Sequence, residues 1–234
     1  MKNIIITGGS RGIGRAIALL FASKGYAVAI SARNQTNLAI LEKEINALNP
    51  NGNNIFQVCD MSKKTDVIAF ANTILEKWKT VDILVNNAGT FEQCAFLAEE
   101  DSLLEKLIET NLYSAYTMSK IIAKNMVAAK KGAIYNICSV ASLAAYPNGG
   151  AYSISKFAML GFNKTLRQEL KEHHIKVTAL LPGATLTDSW AGVDLPADRF
   201  IQADDIAKII FSLEQLSDSA VVEEILLRPL AGDI

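Results

Sequence analysis

The chain has 234 residues, half of them hydrophobic and a fifth charged, with a net charge of −1. That length allows one large domain with a substantial core, and with no concentration of Lys and Arg there is no electrostatic footprint for nucleic acid. No apolar run approaches the ~20 residues of a membrane span, and with strand residues from Asn3 onward no signal peptide is expected.

The three cysteines, Cys59, Cys94 and Cys138, are an odd and scattered set without metal-ligand spacing. They read as free thiols in a reducing compartment, so the expectation is a cytoplasmic protein with no metal.

In chain order, short apolar runs at residues 3–7, 27–31, 54–58, 82–85, 133–138, 175–180 and 224–227 predict strands. Amphipathic segments at 12–23, 36–48, 63–77, 102–129, 152–171 and 203–216 predict the helices between them. Most strands are too apolar for a sheet with one wet face, so helices cover both sides. The alternation predicts an α/β fold: a doubly wound parallel sheet of about seven strands, occupying residues 1–234 as one domain. One long irregular stretch follows the sixth strand; in open α/β sheets ligands bind at the carboxyl ends of strands, so residues 184–202 are a candidate substrate wall.

The first strand runs into ITGGSRGIGRA, which fits two incompatible patterns. Gly8-Gly9-Ser10-Arg11-Gly12 spells G-x-S-x-G, the turn that raises a nucleophilic serine in a hydrolase. That turn needs several strands and an oxyanion loop before it, and only nine residues precede Ser10. The triad would also need a histidine, and the only two, His173 and His174, sit together near the end of a charged helix. Read instead as Gly8, Gly12 and Gly14, with Ile13 inside the turn, the stretch is a strand-to-helix turn where a dinucleotide's phosphates rest on a helix amino end. Ser10 is then a polar lining residue.

An NAD site places an acid at the end of the second strand. This chain has Ser31-Ala32-Arg33-Asn34 there, with a guanidinium and no acid. Arg33 and Arg11 together suit a 2′-phosphate, which an acid would repel, so NADPH is favoured over NADH. The alternative for Arg33 is an ordinary exposed arginine.

Tyr152 and Lys156 stand four apart in AYSISKFAMLGF, on one helix face. A free phenol titrates near ~10. An ammonium about 5 Å away, at an effective dielectric of about 20, favours phenolate by roughly 3 kcal/mol, about two pKa units downward. Ser139 ends the fifth strand, where a substrate carbonyl could meet both hydroxyls. Asn111 lies inside a helical pattern, a poor place for asparagine unless its side chain has another task. Asn86-Asn87-Ala88-Gly89 follows the fourth strand, and Pro182-Gly183 closes the sixth, with Thr185 and Thr187 beyond.

TGGSRGIG, NNAG, the Asn111–Ser139–Tyr152–Lys156 set and PGATLT, in that order, resemble the short-chain dehydrogenase/reductase family, whose Rossmann-type fold would cover essentially the whole chain. The resemblance implies that Tyr152 is the acid–base, Ser139 orients the substrate oxygen, and Lys156 lowers the phenol's pKa and bonds the nicotinamide ribose. It further implies that Asn111 holds a water on the proton path, that Asp60 and Met61 meet the adenine, and that Thr187 bonds the carboxamide. Arg11 and Arg33 fit its NADP(H)-preferring pattern.

For the substrate, Phe91, Leu143, Tyr146, Leu186, Trp190, Val193, Leu195 and Phe200 suggest an apolar or aromatic pocket, with Tyr146 and Trp190 as contacts. Two sub-family resemblances compete, sepiapterin reductase-like members and 3-oxoacyl-[acyl-carrier-protein] reductases; a dinucleotide-sensing protein without catalysis is the alternative of another class. The segments 114–129 and 154–162 read as apolar nearly all round, which suggests a homodimer or homotetramer interface, or else cover within one subunit.

Overall fold

The computed structural model describes residues 1–190 and 192–234; residue 191, inside the predicted substrate loop, lies outside the described residues. Seven strands form: β1 Asn3–Ile6, β2 Ala27–Ala32, β3 Ile55–Val58, β4 Ile83–Asn86, β5 Gly132–Ile137, β6 Ile175–Pro182 and β7 Glu224–Leu227. They make one parallel sheet in the order β3-β2-β1-β4-β5-β6-β7. Helices α1 Gly12–Ser23, α2 Gln35–Leu48, α3 Lys64–Lys77, α4 Leu103–Ile108, α5 Ser114–Ala129, α6 Gly150–Leu170 and α7 Ala203–Leu213 join them.

Alternation along β1 shows how the sequence builds both layers. Ile4 and Ile6 pack into one core with Ile17, Phe21 and Ile206, while Ile5 points into the other with Phe70, Ile74, Met118 and Ile122. Each fully buried side chain of this size contributes roughly 1.5–3 kcal/mol of transfer free energy. A strand wet on neither face has no polar alternation, so β1, β2, β4 and β5 read as continuous apolar runs. From β1 the chain winds outward to β2 and β3, then crosses back to β4 on the other side. The reversal leaves a crevice at the carboxyl ends of β1 and β4.

The sheet's centre carries a polar ladder that ties the strands to the helices behind them. Asn86 Nδ2 donates to Ser119 Oγ and to Asn136 Oδ1, both at 2.8 Å, and Asn136 Nδ2 donates to Asn163 Oδ1 at 2.8 Å. Paired buried amides hold a register that apolar contacts alone would let slide.

Two expectations need correction. The helix read as continuous over 102–129 is interrupted: Glu109–Tyr113 forms a wide π-helical turn between α4 and α5. The cause is Asn111, whose Oδ1 accepts from the Thr90 amide at 2.7 Å while its Nδ2 donates to Thr90 O and Ser155 Oγ. One extra residue in the turn lets the amide reach partners that a regular helix would turn it away from. Nor is α5 apolar all round. It buries Met118, Ile122 and Met126, but Tyr116, Lys120 and Lys124 form an exposed stripe. On α6, Ile154 and Phe157 remain exposed.

Among the described residues no helix is long and apolar enough to cross a membrane, and no group of His, Cys, Asp and Glu could hold a metal ion.

Candidate active site

A cleft of about 890 Å³ opens along the carboxyl edge of the sheet. Its floor starts at the glycine turn. Gly8 and Gly12 have φ of +65° and +53°, the left-handed region that favours glycine. A Cβ on Gly8 would lie 2.9 Å from Ala88 Cα, and one on Gly14 would lie 2.5 Å from Asn87 Nδ2. The NNAG segment is therefore seated on the turn. Asn87 Nδ2 donates to Thr7 O and Gly8 O, and the Thr7 hydroxyl accepts from the Asn87 and Ala88 amides. Gly14 serves this packing and does not line the cleft, whereas Gly8, Ser10, Arg11, Gly12, Ile13, Asn87, Ala88 and Gly89 do.

Helix α1 begins at this turn with no side-chain cap and no acid in its first turn. Free amides at a helix amino end with open space before them fit an anionic group, so the cradle is suited to a dinucleotide's diphosphate. Arg33, Asn34, Asp60 and Met61 line the far end of the cleft. Asn34 is committed locally, its Oδ1 capping α2 through the Asn37 amide at 2.9 Å. Burial works to raise the Asp60 carboxyl. It is outweighed by hydrogen bonds from Ser62 and by the fields of Arg33 and Lys63, which hold the group below its ordinary value. Arg11, also in the cleft lining, pairs through its Nη1 with Asp188 at 3.0 Å, on the loop after β6.

At the other end, Ser139 follows β5 and its Oγ accepts from the Ala141 amide at 3.1 Å. Tyr152 and Lys156 lie one turn apart on α6, with Lys156 Nζ 5.8 Å from the Tyr152 ring centroid and donating to Ile137 O at 3.0 Å. Gly89 joins this group to the cleft, since its missing Cβ would meet Asn111 Oδ1 and Lys156 Nζ at 3.3 and 3.7 Å. Ser139, Tyr152, Lys156, Pro182, Gly183, Thr185 and Thr187 all line the cleft; Asn111 stands just behind it.

The pKa expectation for Tyr152 is reversed. Burial pushes the phenol up to about 12, with a Ser139 hydrogen bond working against it. Burial also pulls Lys156 below its ordinary value. Four-residue spacing places the two groups one turn apart, but withdrawal from water penalises both charged forms and sets the direction of each shift. The Asn111 side-chain amide clamps Thr90 and Ser155 and thereby fixes the segment leading out of NNAG.

An aromatic wall closes the substrate end. Phe91 meets Tyr152 edge-on at 4.8 Å and stacks on Trp190 at 6.2 Å, and Trp190 leans on Phe200 at 5.2 Å. Tyr146 lines the cleft, its phenol pushed up to about 12 chiefly by burial and opposed by a hydrogen bond with Gln93. Leu143, Leu186, Val193 and Leu195 are exposed and do not line the cleft.

The C-terminal tail supplies lining that motif reading missed. Arg228, Asp233 and Ile234 face the cleft, Arg228 pairs with Asp233, and Arg199 Nη1 and Nη2 donate to Gly232 O and Asp233 O at 2.8 Å each. The available signal was topological: β7 runs parallel to β6, so whatever follows it emerges at the carboxyl edge.

The comparisons agree with this geometry. The short chain dehydrogenase family model matches residues 2–196. A 3alpha-hydroxysteroid dehydrogenase of Mediterraneibacter gnavus is 32% identical over 235 residues, 96% of this chain and 94% of that protein. A sepiapterin reductase of Chlorobaculum tepidum is 33% identical over 245 residues, covering 100% and 99%. Among solved structures, a metagenomic short-chain oxidoreductase in complex with NADP superposes with a TM-score of 0.84 at 32% identity, covering 97% of this chain and 96% of its own. The cleft is that of a nicotinamide-dependent oxidoreductase on a Rossmann-type sheet. This chain belongs to the short-chain dehydrogenase family.

Proposed function

We propose that the protein is an NADPH-dependent reductase that converts a carbonyl of a small apolar or aromatic molecule to an alcohol, the whole chain acting as one nucleotide-binding unit. The observation that carries this reading is the meeting of Ser139, Tyr152 and Lys156 at the end of the cleft where Phe91 and Trp190 form a wall.

The bound coenzyme supplies the hydride; the chain fixes distance and protonation. Tyr152, held as a neutral phenol, donates its proton to the carbonyl oxygen as negative charge develops there. Ser139 donates a hydrogen bond to the same oxygen. Lys156, anchored on Ile137 O, has donors left for ribose hydroxyls. Asn111 is a positioning residue that keeps Thr90 and Ser155 in place. Arg33 takes the 2′-phosphate, Asp60 and Met61 border the adenine, the amides from Ser10 to Ile13 hold the diphosphate, and Thr187 meets the carboxamide. Exposed Tyr116, Ile154 and Phe157 favour assembly as a homodimer or homotetramer, and three free cysteines fit a reducing cytoplasm.

A neutral phenol fixes the expected pH behaviour. Reduction needs the protonated form, which persists far above neutrality, so its single-turnover rate should stay flat from about pH 6 to 9. Oxidation of the alcohol needs phenolate and should climb about tenfold per pH unit over the same span. Stopped-flow measurement in both directions checks this; a reduction rate that falls near pH 7 contradicts it.

The substrate reading is tested by following NADPH absorbance with ketones, diketones, pterins and acyl thioesters. Turnover of apolar or aromatic ketones is expected. Preference for a pterin would move the assignment toward the sepiapterin reductase relatives, and preference for a thioester toward acyl-carrier reductases. Tight NADPH binding with no turnover on any of them would mark a sensor.

A further inference from the structure

Two rims of the cleft touch. On one side lies the glycine turn, on the other the start of the loop after β6. A Cβ on Gly12 would lie 3.0 Å from Thr187 Cγ2, so the backbone of the turn is pressed against that loop. Beside this contact, Arg11 Nη1 pairs with Asp188 at 3.0 Å. The loop's short 3-10 turn Asp188–Trp190 then leads directly to the aromatic wall: the Trp190 amide donates to Thr187 O, and its ring stacks on Phe91, which packs edge-on against Tyr152. An unbroken line of contacts thus joins the amino end of α1 to the proton donor.

Arg11 and Asp188 are both mostly exposed, with side chains 61% and 64% accessible. A single monodentate ion pair in that setting is weak and screened by salt. A phosphate beside the same guanidinium that accepts two parallel charge-assisted bonds is held more strongly than this single exposed contact. Arg11 also lines the cleft, within the segment whose amides suit a diphosphate.

We propose that Asp188 is a positioning residue that shares Arg11 with the coenzyme, so that a coenzyme phosphate taking the guanidinium releases the Asp188–Trp190 turn and relays occupancy to the wall beside Tyr152. This rests on the coenzyme reading above. Asp188 acts through Arg11 and needs no contact with substrate.

The full chain is titrated with NADP+ and, separately, NAD+, while tryptophan emission is followed; a Trp190→Phe variant identifies the part of the signal due to that ring. In the unsubstituted protein NADP+ is expected to shift Trp190 emission. Asp188→Asn removes the internal competitor, so it should bind NADP+ about two- to fivefold more tightly at low salt and show a smaller emission change. The gain should vanish in about 1 M salt, where screening acts within about 3 Å. Asp188→Glu should restore the original affinity, and in an Arg11→Gln background Asp188→Asn should have no effect. Unchanged or weaker NADP+ binding by Asp188→Asn at low salt overturns the proposal, as does an unsubstituted protein that binds NADP+ with Trp190 emission unmoved. A protein that binds neither nucleotide overturns the coenzyme reading itself, and this proposal with it.

Discussion

Replacing Tyr152 by Phe is expected to lower the reduction rate by about three orders of magnitude while changing NADPH affinity by less than about twofold. General acids contribute roughly 10²–10⁴ to rate, and the substitution deletes only the hydroxyl. The ring remains, so the edge-on packing against Phe91 at 4.8 Å persists and the aromatic wall keeps its shape. Lys156 still has its bond to Ile137 O. Single-turnover kinetics with equilibrium binding on the same preparation separate chemistry from coenzyme capture. A variant that keeps a tenth or more of the rate would remove Tyr152 from the role of acid.

The second large effect is expected at Arg33. Arg33→Asp should weaken NADPH binding by about two orders of magnitude and leave NADH binding equal or improved. A hydrogen bond to a charged group is worth about 1.5–3 kcal/mol, and the substitution both deletes the cation and sets an anion against the 2′-phosphate. The site is already electrostatically tuned, since the Arg33 field helps hold Asp60 below its ordinary pKa. An acid at position 33 accepts from the ribose hydroxyls of NADH, which carry no phosphate to repel. Dissociation constants for both nucleotides, measured on both proteins, give the ratio; if it is unchanged, Arg33 does not face the 2′-position.

These effects concern residues that were legible before any fold was known, and the reason is physical. Strands buried on both faces leave long apolar runs, so β1 through β6 show in the sequence to within two residues. The glycine turn shows because its left-handed residues and its contact with Ala88 tolerate little else. What did not show depends on partners distant in the chain. The wide turn at Glu109–Tyr113 is set by Asn111 bonding residues 21 and 44 positions away, while the local sequence keeps a helical pattern. Spacing put Lys156 beside Tyr152 but said nothing of how dry the neighbourhood is, and dryness decides the phenol's pKa. In the substrate region, chemistry alone did not tell the rings that face inward, Phe91 and Trp190, from the exposed aliphatic side chains Leu143, Leu186, Val193 and Leu195. The exposed stripe on α5 was readable: Tyr116, Lys120 and Lys124 recur every four residues.

Arg199 grips the tail only by main-chain oxygens, those of Gly232 and Asp233. A grip on carbonyls is indifferent to which side chains the tail presents. The outer face of the cleft can therefore change its chemistry one residue at a time without loosening its attachment, while the inner end, bolted through Asn86, Asn136 and Asn163, has no such freedom. Selectivity toward new compounds is then most cheaply redesigned at Arg228, Asp233 and Ile234, the tail residues that line the cleft, leaving the reacting groups untouched.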